Sequence, residues 1–170
     1  METPLSPLEF ARRARKLYPK RDAVVDGSRR LNYEEFFDRC DRWSAALQTL
    51  GVQEGDRVAY IAPNTLAQLE SFYAVPQIGA VLVPLNYRLI ADDFAYLINH
   101  SGARIVCVHS DYLLFFRRCR GKLPPRRSLK RLLSMRLVGD SNSFKAKRPM
   151  GSCATIIGDD RPLRPGISWF

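Results

Sequence analysis

The chain has 170 residues, a hydrophobic fraction of 46% and a formal net charge of +10, enough length and apolar content for one packed domain and too much for a chain disordered throughout. No run of about 18 apolar residues occurs, which excludes a spanning helix, and Met1 to Glu9 lacks the basic-then-apolar layout of a secretory signal, so a cytoplasmic location is the expectation. Cys40, Cys107, Cys119 and Cys153 form no C-x-x-C pair, and neither His100 nor His109 stands at ligand spacing from them, which argues against a zinc site or a disulfide framework.

Ser6 followed by Glu9 has the spacing of a capping box, and Pro7 falls on the first helical position, where its missing N–H costs nothing. Leu8, Ala11, Ala14 and Leu17 then trace one apolar face, and Pro19 ends the segment. The stretch AVVDGSRRL reads as two short strands around an Asp26-Gly27 turn. Asn32 with Glu35 opens a long helix, with Phe36, Cys40, Trp43, Leu47 and Leu50 at helical spacing until Gly51 stops it.

From residue 57 onward, strand and helix alternate. RVAYIA is a strand, Pro63 and Asn64 a turn, and Thr65 with Gln68 a further capping box opening a helix toward Gly79 that Pro76 kinks or ends early. AVLVPL is a second strand, DDFAYLINH a short helix closed by Ser101-Gly102, and ARIVCVH a third strand. Ile90 occupies the cap position of that short helix without a side-chain oxygen, at a cost of about 1 kcal/mol. Strands this uniformly apolar, separated by helices, predict an α/β fold with a mostly parallel sheet covered on both faces. The ligand crevice of such a sheet lies beyond the carboxyl ends of its strands, where the loops APNT and PLNYRL fall. Three strands alone leave edges and apolar faces uncovered, so marginal stability or aggregation is expected.

After Tyr112 the pattern changes. Residues 1–110 carry thirteen basic and thirteen acidic side chains, whereas residues 111–170 carry fourteen and four, so the whole surplus of +10 sits in the last 60 residues. SLKRLLSMRL fits one or two amphipathic helical turns and the remainder reads as loop or disorder. The expected division is a partial α/β lobe over 1–112 and an irregular, Arg/Pro-rich basic tail over 113–170. A switch this abrupt is the pattern that a reading-frame shift in a GC-rich gene would leave.

The blocks AVVDGSRRLNYEEFFDRCDRWSAALQTLGVQEGDRVAYIAPNT, YAVPQIGAVLVPLNYRL and DDFAYLINHSGARIVCV follow one another at consistent spacing. They resemble the N-terminal portion of the adenylate-forming, AMP-dependent acyl-CoA synthetases, from about Ala23 to Tyr112. The carrying features are LG-V-x-x-GDRVA, then PN, then GAV-x-V-P-LN-x-R-L, then SGA before a strand. These blocks are shared by ligases for fatty, aromatic and other acids and carry no signal for which acid. Relatives usually have Thr or Ser where this chain has Ile90.

The resemblance implies that a carboxylate attacks the α-phosphate of ATP, that pyrophosphate leaves, and that coenzyme A displaces AMP from the acyl-adenylate. It also implies ATP, magnesium and coenzyme A for the full-length family. That chemistry needs backbone amides and a lysine around the phosphates and oxygen ligands for magnesium. The family meets the need with a Thr-Ser-Gly-Thr-Thr-Gly-type loop ending in Pro-Lys-Gly, a Tyr-Gly-x-Thr-Glu stretch, an Asp on the ribose and a lysine of a mobile C-terminal domain. None of these stretches occurs in the 170 residues. GDSNSF has hydroxyls but one glycine and no lysine in register, and GSCATIIGDD has no lysine. No catalytic, cofactor-binding or metal residue is therefore assigned, and the chain alone is expected to be inactive and to hold none of ATP, magnesium or coenzyme A.

Individual residues carry weaker signals. Asn86 and Arg88 follow the second strand toward the crevice, but turn chemistry accounts for an Asn after Pro-Leu. His109, at the end of the third strand, lies nearer the crevice and has no partner legible in the sequence. His100 suits a helix C-terminus, Asp92 and Asp93 suit a first helical turn, and Trp43, Phe36 and Phe37 suit helix packing. Arg117, Arg118, Arg120, Arg126, Arg127, Lys130 and Arg131 raise an alternative class, a non-catalytic binding module whose tail contacts phosphates of nucleic acid or anionic membrane. No aromatics interleave with them and no nucleic-acid-binding motif occurs, which favours a solvated charge run.

Overall fold

The computed structural model describes residues 6–112 and the backbone of three further strands at 131–135, 143–147 and 153–157. Helix α1 (Pro7–Leu17) starts at Ser6, whose Oγ accepts from the Leu8 amide at 3.3 Å. The expected capping box does not form. Glu9 spends its carboxylate on Arg12 instead, one turn along the same exposed face.

Strands β1 (Asp22–Asp26) and β2 (Arg29–Asn32) make the hairpin, with Asp26 opposite Arg29. The turn residues are therefore Gly27 and Ser28, one position later than expected. Helix α2 (Tyr33–Thr49) has the full box: Asn32 Oδ1 accepts from the Glu35 amide and Glu35 Oε2 from the Asn32 amide, each at 2.9 Å. Phe36, Phe37, Cys40, Trp43 and Leu47 are buried on its inner face. Burial of each large side chain contributes about 1.5–3 kcal/mol.

The parallel core comprises β3 (Arg57–Ile61), α3 (Leu66–Ala74), β4 (Val81–Leu85), α4 (Ala91–Ser101) and β5 (Ile105–His109). Pro76 ends α3 in a single 3-10 turn, Pro76–Ile78, as its missing amide requires. Ile90 caps α4 with no side-chain hydrogen bond, as the sequence implies. Strands β4 and β5 both pair in parallel with β3, one on each side. The pleat then sorts the core into two layers. Val58, Tyr60, Ile105 and Cys107 pack under α2 and α3, while Ala59, Ile61, Val106 and Val108 pack under Phe94 and Ile98 of α4.

Three more strands stand where the sequence suggests one or two helical turns at SLKRLLSMRL and loop or disorder elsewhere after Tyr112. They are β6 (Arg131–Met135), β7 (Ser143–Lys147) and β8 (Cys153–Ile157), giving the order β4-β3-β5-β6-β7-β8. β6 is parallel to β5, while β7 and β8 are antiparallel to their neighbours. A stretch as short as SLKRLLSMRL, half of it apolar, does not separate strand from helix by its period alone. The exposed ladder of β5 decides the matter, because pairing along five residues outweighs a marginal helical turn. The remaining residues of this segment, including Arg117 to Lys130 and Cys119, lie outside the described residues.

At the amino ends of the strands, Gly55-Asp56-Arg57 forms a clasp. Asp56 is buried and accepts from the Gln53 amide at 3.0 Å and from Arg104 Nη1 at 2.5 Å. Arg57 Nε donates to the Ser101 carbonyl at 3.0 Å, tying β3 to the end of α4. The Gly55 amide donates to the Gly79 carbonyl at 2.9 Å. Gly79 has φ +73°, and a Cβ there would stand 2.9 Å from Glu54 Cγ, so both backbone shape and space call for glycine.

Candidate functional site at the carboxyl ends of the parallel strands

The connection leaving β3 goes to β4 on one side, and β5 continues to β6 on the other. Connections that diverge in this way open a crevice between the two carboxyl ends. The loop 62–65 follows β3, and the turn Ser110–Tyr112 follows β5. Strand order thus puts the switch point between β3 and β5.

His109 is largely buried, and its Nδ1 accepts from the Asp111 amide at 3.4 Å. The same Nδ1 lies 3.6 Å from Asp111 Oδ2. One nitrogen cannot accept from the amide and donate to the carboxylate at once, so the ion pair exists only when His109 is protonated and the amide bond is given up. Tyr112 joins the group, 6.3 Å from His109 and 5.3 Å from Tyr87 between ring centroids. Arg88 lays its guanidinium over Tyr87 at 5.2 Å. Asn86 Oδ1 accepts from the Arg88 amide at 3.0 Å, the side-chain turn expected of it. The sequence reading missed Tyr87, Asp111 and Tyr112. Each sits within three residues of a residue it did single out, and the convergence of the loops after β4 and β5 is a property of strand order.

The other singled-out residues lie in helices or the core. His100 is exposed in the last turn of α4 and stacks on Tyr96 at 5.6 Å, and Asp92 and Asp93 occupy the first turn. Trp43, Phe36 and Phe37 are core, Trp43 lying against Tyr60 at 5.5 Å. Cys40 and Cys107 are buried free thiols, and burial pushes Cys107 up to about 12, so neither is a nucleophile at neutral pH.

The loop after β3 is set by a residue forty positions away. Asp26 Oδ2 accepts from the Leu66 amide at 3.0 Å and thereby caps α3, whereas the expected Thr65–Gln68 box is absent. Thr65 Oγ1 is buried without a hydrogen-bond partner. A shallow apolar pocket of about 350 Å³ opens beside it, lined by Val25, Leu69 and Phe72 among others. Behind the loop, Glu70 of α3 is buried and pairs with Arg39 of α2. Desolvation pushes the Glu70 carboxyl up, and Arg39 opposes the shift. Among the described residues no three His, Cys, Asp or Glu side chains come close enough to hold a metal ion. None of the described helices is long and apolar enough to cross a membrane.

A family model described as AMP-binding enzyme matches residues 10–163, most of the chain. This chain belongs to that family. As an AMP-binding chain it is 34% identical over 157 residues to trans-cinnamate:CoA ligase, peroxisomal, of Petunia hybrida, covering 92% of this chain and 25% of that protein. It is 40% identical over 103 residues to benzoate–CoA ligase, peroxisomal, of Arabidopsis thaliana, covering 61% of this chain and 18% of that protein. Among solved structures, the Mycobacterium tuberculosis fatty acyl CoA synthetase superposes with a TM-score of 0.70 at 26% identity, over 75% of this chain and 26% of that one. The chain therefore spans about a quarter or less of these relatives. The parallel sheet with its helices is the N-terminal architecture of acyl-CoA synthetase folds. The AMP-binding match runs on through most of the basic segment, where the three additional strands lie.

Proposed function

We propose that this chain supplies the first α/β lobe of an ATP-dependent acid–CoA ligase. In that reaction a carboxylate oxygen attacks the α-phosphorus of ATP, the bond to the bridging oxygen breaks and pyrophosphate leaves. The thiol sulfur of coenzyme A then attacks the acyl carbon, AMP departs with the electron pair of the acyl–oxygen bond, and the thiol proton goes to solvent or base. The observation that carries this reading is the family match over residues 10–163. The names of the relatives include a cinnamate, a benzoate and a fatty acyl enzyme, which supports a fatty or aromatic acid as substrate.

The 170 residues do not catalyse the adenylation alone. The support is chemical: no glycine- and hydroxyl-rich loop with a lysine in register occurs in the sequence to receive the leaving pyrophosphate. The part of the described residues is to hold the strands and the loops after β3 and β5 in place.

Two experiments test the two halves. Purified chain incubated with ATP, magnesium and a panel of fatty and aromatic acids gives no acid-dependent exchange of labelled pyrophosphate into ATP; exchange above the acid-free control overturns the claim of inactivity. Residues 6–112 grafted in place of the matching segment of the Petunia trans-cinnamate:CoA ligase yield a folded, adenylating chimera. A folded chimera with no adenylation contradicts the family role.

A further inference from the structure

We propose that Pro84 guards the free edge of β4 and keeps this sheet from pairing with a second copy of the chain. In a parallel ladder the amide and carbonyl of one residue point to the same side, and successive residues alternate between sides. The Val81 amide donates to the Asp56 carbonyl at 2.8 Å. From there the register runs unbroken from Arg57 opposite Val81 to Ile61 opposite Leu85. Val81, Val83 and Leu85 therefore direct their amides at β3, and Leu82 and Pro84 face away from it.

Proline has no amide to offer on that outer side. An incoming strand finds two carbonyls, of Leu82 and Pro84, but a single donor, Leu82. Had the register been shifted by one, Pro84 would face β3 and the ladder with β3 would lose a bond. The proline is thus at the strand position where it spares the internal sheet and spoils the external one.

The edge needs such a device. β4 reads Val-Leu-Val-Pro-Leu with no charged residue, Val81 is 50% exposed, and Pro84 is exposed. Without the proline this would be an apolar, uncharged strand of high β-propensity on an open edge. Among the described residues no strand lies beyond β4.

The test restores the missing donor. Pro84→Val and Pro84→Thr are compared with the unsubstituted chain by sedimentation velocity over a concentration series and by hydrogen exchange resolved to residues 81–86. In the unsubstituted chain the Leu82 amide exchanges like an exposed loop amide at every concentration. Both variants shift toward dimer, and in the dimer the amides of residues 82 and 84 slow by about tenfold or more. The proposal is overturned if Leu82 is already protected in the unsubstituted chain, a result that needs no variant to fold. It is equally overturned if both variants sediment as the unsubstituted chain does, or if they associate with no protection at residues 82 and 84.

Discussion

The two ends of the parallel sheet are built in different ways. At the amino ends, charged side chains reach across elements: Asp56 joins β3 to Arg104 next to β5, and Arg57 joins β3 to the end of α4. In the loops after β4 and β5 at the carboxyl ends the contacts are short-range or soft: the Asn86–Arg88 turn, the Tyr87–Tyr112 and His109–Tyr112 ring contacts, and an exposed Asp111. One end holds the strands in register. The other leaves its loops shapeable, which is where an α/β sheet places its ligands. The Gly-Asp-Arg block that carries much of the family resemblance thus belongs to the structural end of the sheet.

The largest effect expected comes from the pair that pins α3 behind the carboxyl-end loop. Arg39→Met leaves the Glu70 carboxylate buried without its cation and lowers stability by about 3 kcal/mol in urea unfolding at neutral pH. The sign with pH follows from burial. Because the folded Glu70 carboxyl is pushed above its ordinary value, the stability linked to it is fully present below that ordinary value and is lost as pH rises through the folded one. The deficit of Arg39→Met therefore shrinks on acidification; a deficit independent of pH would contradict the assignment.

Next comes the clasp. Asp56→Ala strips the partner from Arg104 and from the Gln53 amide and costs about 2 kcal/mol, read from the shift of the urea midpoint. Ile90→Ser supplies the missing cap of α4 and raises stability by about 1 kcal/mol, the one substitution of this set with a gain. Smallest is Asn86→Ala at the carboxyl end, within about 0.5 kcal/mol of the unsubstituted chain because its turn is exposed. Equal costs at Asp56 and Asn86 would erase the contrast between the two ends.

Much of this layout is legible in the sequence, and the residues that escaped it have a common cause. The helix and strand identities up to Tyr112, the Asn32–Glu35 box, the break at Pro76 and the uncapped Ile90 all follow from signals within a few positions of one another. What escaped was long-range. The Asp26 carboxylate displaces the local Thr65 cap from forty residues away, and Tyr87 meets Tyr112 only because β4 and β5 flank β3. Strands β6 to β8 escaped because their apolar runs are short and set among arginines and prolines, and because pairing with β5 and with one another, which no local window contains, is what makes them strands.

The proposed role of this chain as a supporting lobe is tested most directly by calorimetric titration of the purified 170-residue chain with ATP and magnesium. No saturable heat is predicted at concentrations up to the millimolar range, since the sequence offers no lysine-bearing loop for the triphosphate. Tight binding at one ATP per chain would contradict it.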